Sequence, residues 1–300
     1  MAQDTPKVSV VIPTYKRAHL LPRAIKCAQA QTYANLEIII VDDNSLDNTE
    51  ATVKHFSDSR IKYLKHSRNR GTSAAKNTGI THSTGSYIAF LDDDDMCVDN
   101  RIEEQLKYFP ASDAVLCGAR INNNSPRKIY GKSVVDINDL RKGNIFPGGA
   151  SILMVKSSLI KNDLFDENLL FGEDWDLLVR FCAKYIVTYT STPLVLYNAA
   201  NHSRLTNALI DMPLQELERR LTVFYKHKDF LGPFWFNYRV ASRLLSHIRG
   251  RSGKINHIAH TIRRCGVIPV VAVLYAKTTS NLYDRLHSHN PRHLDPSAEK

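Results

Sequence analysis

The 300-residue sequence is most informative first through what it lacks. Its five cysteines, Cys27, Cys97, Cys117, Cys182 and Cys265, contain no Cys-x-x-Cys pair, which excludes a zinc ribbon or a dense disulfide framework and leaves reduced thiols as the expectation. No apolar run approaches the roughly 20 residues needed to span a bilayer; the longest, Val267 to Ala276, is short and interrupted by Pro269. The opening Met-Ala-Gln-Asp-Thr-Pro has no apolar signal core, so a cytoplasmic protein is expected. The first strand-like run, Lys7 to Pro13, is followed by Thr14-Tyr15-Lys16-Arg17 without glycine. A dehydrogenase-type Gly-x-Gly-x-x-Gly loop is therefore missing, and so is the glycine-rich phosphate loop of a nucleotidyltransferase. Acidic residues are scarce at the back of the chain: Met212 to Lys300 holds 15 Lys+Arg against 6 Asp+Glu, nine of the net +10.

What is present is an alternation. Strand-like runs at Lys7 to Pro13, Leu36 to Val41, Ile61 to Leu64, Tyr87 to Leu91 and Ala114 to Ala119 are separated by helical patterns at Ala18 to Ala30, Thr49 to Phe56, Thr72 to Ser83 and Asn100 to Tyr108. Such alternation predicts an α/β fold with a mostly parallel sheet, whose ligands bind outside the carboxyl ends of the strands. Beyond residue 120 the pattern weakens, with strands expected at Ile152 to Val155 and Val187 to Leu196 and a helix from Trp175 to Lys184. Helical patterns dominate after Met212. A catalytic region over 1–211 and a basic helical extension over 212–300 are expected.

Three polar clusters stand at predicted strand ends: Thr14 to Arg17, Asp42-Asp43-Asn44-Ser45 and Asp92-Asp93-Asp94-Asp95. Four adjacent carboxylates repel one another, and a divalent cation relieves that repulsion. An EF-hand calcium loop is excluded, because one counted from Asp92 would need glycine at Cys97.

Five motifs in order then carry a resemblance: Val8 to Tyr15, Ile38 to Ser45, Arg70 to Ile80, Gly85 to Asp95 and Gly172-Glu173-Asp174-Trp175-Asp176-Leu177. Over roughly residues 6–205 the chain resembles the family 2 glycosyltransferases, inverting enzymes of the nucleotide-diphospho-sugar transferase (GT-A-like) fold. Among bacterial members it is similar to those that build O-antigens and other surface polysaccharides.

The resemblance implies a DxD site in which Asp92 and Asp94 hold Mg²⁺ or Mn²⁺ on a diphosphate, with Asp94 the more direct ligand. It places Asp93 on the sugar or ribose side and leaves Asp95 as a turn residue. Asp43 would accept from the uracil N3–H, which suits an acceptor-only carboxylate and favours uridine. Pro13, Thr14 and Tyr15 would surround the nucleoside, and Lys76 would offset diphosphate charge. Asp174 would be the general base, with Glu173, Trp175 and His202 beside the acceptor or on a closing loop. One tension follows from position: a helix N-terminus favours the charged carboxylate and lowers its basicity.

The implied reaction moves a hexose from UDP-glucose or UDP-galactose to a sugar on a polyprenyl-diphosphate lipid, at the inner face of the cell membrane. A nucleotidyltransferase, or transfer to lipopolysaccharide core, are the alternatives. The basic extension, with its Leu231 to Phe236 aromatic cluster, suits peripheral contact with an anionic membrane; a helical subdomain with a solvated basic face is the plainer reading. No nucleic-acid-binding motif is present.

Overall fold

The computed structural model describes residues 5–121, 130–143, 146, 149–197, 212–246, 248 and 253–288. The chain divides into two compact units, Met1–His202 and Ser203–Lys300.

The first unit is built on one eight-stranded sheet of order β3-β2-β1-β4-β7-β6-β8-β5. Its first half is parallel and comprises β1 (Val8–Thr14), β2 (Leu36–Asp42), β3 (Ile61–Lys65) and β4 (Tyr87–Phe90). All of β1 is buried, as expected for a strand covered on both faces. Helices α1 (Leu21–Gln29), α2 (Thr49–Lys54) and α3 (Thr72–His82) make the crossovers.

The second half is mixed. β5 (Met96–Cys97) and β7 (Leu153–Lys156) make only antiparallel pairings, while β6 (Ala114–Ile121) runs parallel to β8 (Val187–Tyr197). This accounts for the fading alternation in the sequence: β7 enters between β4 and β6 from the opposite end, after a long excursion. The two-residue β5 was not legible, being too short to show a period. Helices α4 (Arg101–Leu106), α5 (Ser157–Ile160) and α6 (Glu173–Cys182) complete this unit.

Register does the positioning. Thr14 lies opposite Asp42, and Val11 opposite Phe90. The Leu91 amide still donates to the Val11 carbonyl. The carboxyl ends of β1, β2 and β4 therefore finish side by side, and the three polar clusters that follow them share one edge.

The second unit holds α7 (Leu214–Arg219), α8 (Thr222–Lys226), α9 (Lys228–Leu244), α10 (Lys254–Cys265) and α11 (Val267–Ser288). A positive φ at Gly232, followed by Pro233, kinks α9. Leu231, Phe236, Val240, Ala241, Leu244, Val270 and Val273 are buried in this unit. Among the described residues no helix is long and apolar enough to cross a membrane.

Candidate active site

Asp92 to Asp95 leave β4 in a turn closed by the Asp95 amide donating to the Asp92 carbonyl. Carboxylate oxygens of Asp92, Asp94 and Asp95 lie within 4.8 Å of one another. Three hard oxygen donors converging in this way fit Mg²⁺ or Mn²⁺. Asp95 is thus both the expected turn residue and a contributor to the cluster. Burial raises the Asp92 carboxyl, Lys76 opposes that, and Asp94 adds to it. The Asp92 amide is fixed by donation to Ser151 Oγ, 2.9 Å away.

Asp93 is engaged by the end of β1. It accepts from Thr14 Oγ1 at 2.7 Å and from Arg17 Nη1 at 2.8 Å, and Arg17 also lies 3.4 Å from Asp94. Burial still pushes the Asp93 carboxyl up to about 6, against the pull of Arg17 and Thr14. These contacts tie the end of β1 to the acidic turn. Pro13 is buried within β1, whereas Tyr15 is exposed beside it, with Lys16 Nζ 5.1 Å from its ring centroid.

Asp43 organises the neighbouring turn. Its Oδ1 accepts from the Arg70 amide at 2.8 Å and faces His66 Nδ1 at 2.7 Å. Its Oδ2 accepts from the Gly71 amide at 2.7 Å. A carboxylate oxygen has two lone-pair sites, so Oδ2 retains capacity for a further donor. His66 is held from behind by Thr78 Oγ1 at 2.8 Å.

The second acidic centre opens α6. Gly172 takes a left-handed conformation before the helix, and Asp174 Oδ1 accepts from the Trp175 amide at 2.8 Å. Asp174 borders an apolar recess lined by Leu116, Leu153, Phe165, Leu177 and Leu178. Burial there, with Glu173 adding to it, pushes the Asp174 carboxyl up to about 6, against Lys76. Burial thus outweighs the Lys76 ammonium and the Trp175 amide, and leaves the carboxyl more basic than a free aspartate.

Lys76 stands between the two centres. It is buried, with Nζ 3.4 Å from Glu173 Oε1 and 5.1 Å from the Phe165 ring centroid. Burial disfavours its charge, but Glu173, Asp92 and Asp174 outweigh burial and keep the ammonium above its ordinary range. The resemblance placed Lys76 near a diphosphate; in the structure it pairs with Glu173, and the Asp92 and Asp174 carboxylates also act on its charge.

Two sequence expectations need correction or limitation. Trp175, expected beside the acceptor or else packed in the core, is 1% exposed and donates its indole N–H to the Leu140 carbonyl at 2.8 Å, the core alternative. Its large ring buries into the core of the unit and presents no face to a ligand. His202 lies outside the described residues. Arg17, His66 and Ser151 are not singled out by the sequence, whereas Gly149 is open to two readings there, close approach of a substrate to the backbone or an ordinary tight turn. Arg17 sat within a polar strand-end cluster, which was signal enough to include it. Nothing local marks His66 or Ser151, whose roles depend on partners 23 and 59 positions away. Gly149 has φ +52, and a Cβ there would stand 2.8 Å from Asp174 Oδ2.

Residues 9–169 match the family described as glycosyl transferase family 2. An uncharacterized glycosyltransferase of Rickettsia conorii is 37% identical over 186 residues, 59% of this chain and 30% of that protein. The Escherichia coli UDP-Glc:alpha-D-GlcNAc-diphosphoundecaprenol beta-1,3-glucosyltransferase WfgD is 39% identical over 130 residues, 42% of this chain and 50% of that one. The GalNAc(5)-diNAcBac-PP-undecaprenol beta-1,3-glucosyltransferase of Campylobacter jejuni is 32% identical over 184 residues, covering 58% and 59%. The chain thus spans from under a third to somewhat over half the length of these relatives. Among solved structures, S. aureus TarS 1-349 in complex with UDP-GlcNAc superposes with TM-score 0.61 at 14% identity, covering 91% of this chain and 92% of that one. The Pyrobaculum calidifontis mannosyltransferase PcManGT, in complex with GDP-Man and Mn2+, gives 0.58 at 19% identity, covering 94% and 82%. At those identities the likeness is one of fold.

Proposed function

Since the chain belongs to glycosyl transferase family 2, we propose that it is an inverting hexosyltransferase taking UDP-glucose or UDP-galactose as donor. The acceptor is a sugar hydroxyl on a polyprenyl diphosphate, and the product is a β-glycoside of an O-antigen or other surface polysaccharide. The observation that carries this reading is the pair of acidic centres, one suited to a cation and the other a carboxyl made basic by burial, with Lys76 paired to Glu173 and felt by both. The Escherichia coli relative, named for UDP-Glc, supports the donor, and both glucosyltransferase relatives support the lipid-linked acceptor.

Asp92 and Asp94, with Asp95 adjoining, are the residues that would hold Mg²⁺ or Mn²⁺. Such a cation, when bound, offsets the charge that grows on a departing diphosphate. Asp43 and the exposed Tyr15 hold the uridine, and Asp93 with Thr14 adjoins its ribose. Asp174 takes the proton of the acceptor hydroxyl as that oxygen bonds to the anomeric carbon. The bond from that carbon to the UDP oxygen breaks on the opposite face, which inverts the centre. Lys76 keeps Glu173, Asp174 and Asp92 from repelling one another apart. Glu173 stands beside the acceptor side of the site, and Trp175 serves as a positioning residue for the start of α6. A polyprenyl-linked acceptor confines the enzyme to the inner face of the cell membrane, which the basic second unit is suited to meet.

The test is a panel of nucleotide sugars with Mn²⁺ or Mg²⁺ and a synthetic GlcNAc-diphosphate lipid. The expected result is UDP release and a glycolipid one hexose heavier with a UDP-hexose alone. Transfer from a GDP-sugar in preference, or from none of the panel, would contradict the reading.

A further inference from the structure

We propose that the outer face of α11, with the end of α10, is a docking surface for an anionic phospholipid bilayer. Two observations converge on it. Val267, Ile268, Val271 and Tyr275 are 59%, 73%, 58% and 70% exposed. At about 100° per residue these four fall within a single arc of roughly 100°, while Val270 and Val273 on the other side are buried. The first turns of α11 therefore present a continuous apolar strip to solvent, although this helix already has a buried face of its own. Isolated exposed apolar side chains need no explanation, but a strip of this kind marks an interaction surface.

The second observation is charge. Between Asp229 and Asp284 the sequence contains no acidic residue and eight Lys or Arg. Arg263 and Arg264 occupy the last turn of α10, immediately before the Gly266 bend that leads into the apolar strip. Both arginines are exposed. Apolar side chains rimmed by cations match an interface where acyl chains lie beneath anionic headgroups, and each basic residue near such a surface adds to attraction. A second copy of the chain would bring its own arginines against these, so like charges oppose self-association through this face. No helix among the described residues spans a membrane, so attachment by this route is peripheral.

This assignment gives the membrane contact a place, and its test is independent of transfer because the vesicles carry no acceptor. The full chain is sedimented with vesicles of phosphatidylcholine alone and of phosphatidylcholine with phosphatidylglycerol. Binding to the anionic vesicles at least 10-fold tighter than to neutral ones, weakening with added salt, is expected. Ile268→Asp with Val271→Asp lowers that binding at least 10-fold. Arg263→Glu with Arg264→Glu, both surface positions, does the same with circular dichroism unchanged. Binding that is equal for the parent and both variants overturns the proposal. So does sedimentation velocity showing a parent dimer that the Ile268→Asp/Val271→Asp chain converts to monomer.

Discussion

Asp174 sits where apolar burial, a neighbouring carboxylate and a buried ammonium act on one group. Its carboxyl is raised to about 6, so the ionised form needed for proton abstraction grows as pH rises through that value. Transfer should fall about tenfold for each unit of pH below 6, measured as kcat at saturating donor. Asp174→Asn should lower kcat by about 10²–10⁴-fold. The same substitution should stabilise the fold. Below about pH 4 both folded and unfolded carboxyls are protonated and the group contributes nothing. Between about 4 and 6 the unfolded chain releases the proton first, so rising pH favours unfolding. At pH 8 the Asn variant should therefore melt about 5 °C higher than the parent, with the gap closing at pH 4. A variant that melts lower at pH 8 would contradict the assignment of a strained, basic carboxylate.

Gly149 gives a second reading at this scale. Its φ of +52 and the 2.8 Å approach of a Cβ to Asp174 Oδ2 leave no room for alanine without moving the Asp174 carboxyl. Gly149→Ala should reduce kcat by about tenfold or more, on the scale of a small misplacement of a catalytic group, while UDP affinity measured by calorimetry stays within about twofold. Equal loss of both would place Gly149 in the donor pocket instead. The sequence showed the aspartates and the Glu-Asp pair because charge at a strand end or helix start is locally odd. It did not show which glycine touches Asp174, since that contact spans 25 positions and is visible only as a distance.

At the scale of elements, the site depends on strands ending together. Thr14 opposite Asp42 in the β1–β2 register, and the Thr14–Asp93 hydrogen bond, align three loops that are far apart in sequence. The parallel half of the sheet was legible because its strands are short, β-branched and punctuated by glycine and polar turns. The antiparallel β7 and the brief β5 were not, because direction within a sheet is a property of the connection and leaves no mark on residue type. The Arg70–Gly71 turn shows the same coupling of element to site. Gly71 has φ +91 with nothing within 4 Å of a built Cβ, so alanine there suffers backbone strain alone. Gly71→Ala should cost about 1–3 kcal/mol in urea unfolding, and it should weaken UDP binding by at least threefold as the amides on Asp43 shift. Unchanged UDP affinity in a folded variant would detach Asp43 from the nucleotide.

At the scale of the whole molecule, two units carry different charge. The nearly neutral first unit holds the acidic centres, and the second holds most of the positive surplus. That division was visible in composition alone, because charge sums need no structure. The apolar strip on α11 was only half visible: Val267 to Ala276 read as a hydrophobic run, but which of its side chains face outward depends on how α11 packs against α9 and α10.

The most direct test of the central claim is the anomeric configuration of the product made from an α-linked UDP-hexose, read from the proton NMR coupling of the new anomeric centre. In-line attack by an oxygen deprotonated at Asp174 predicts a β-linked product. An α-linked product would contradict single-displacement transfer and remove the role assigned to Asp174.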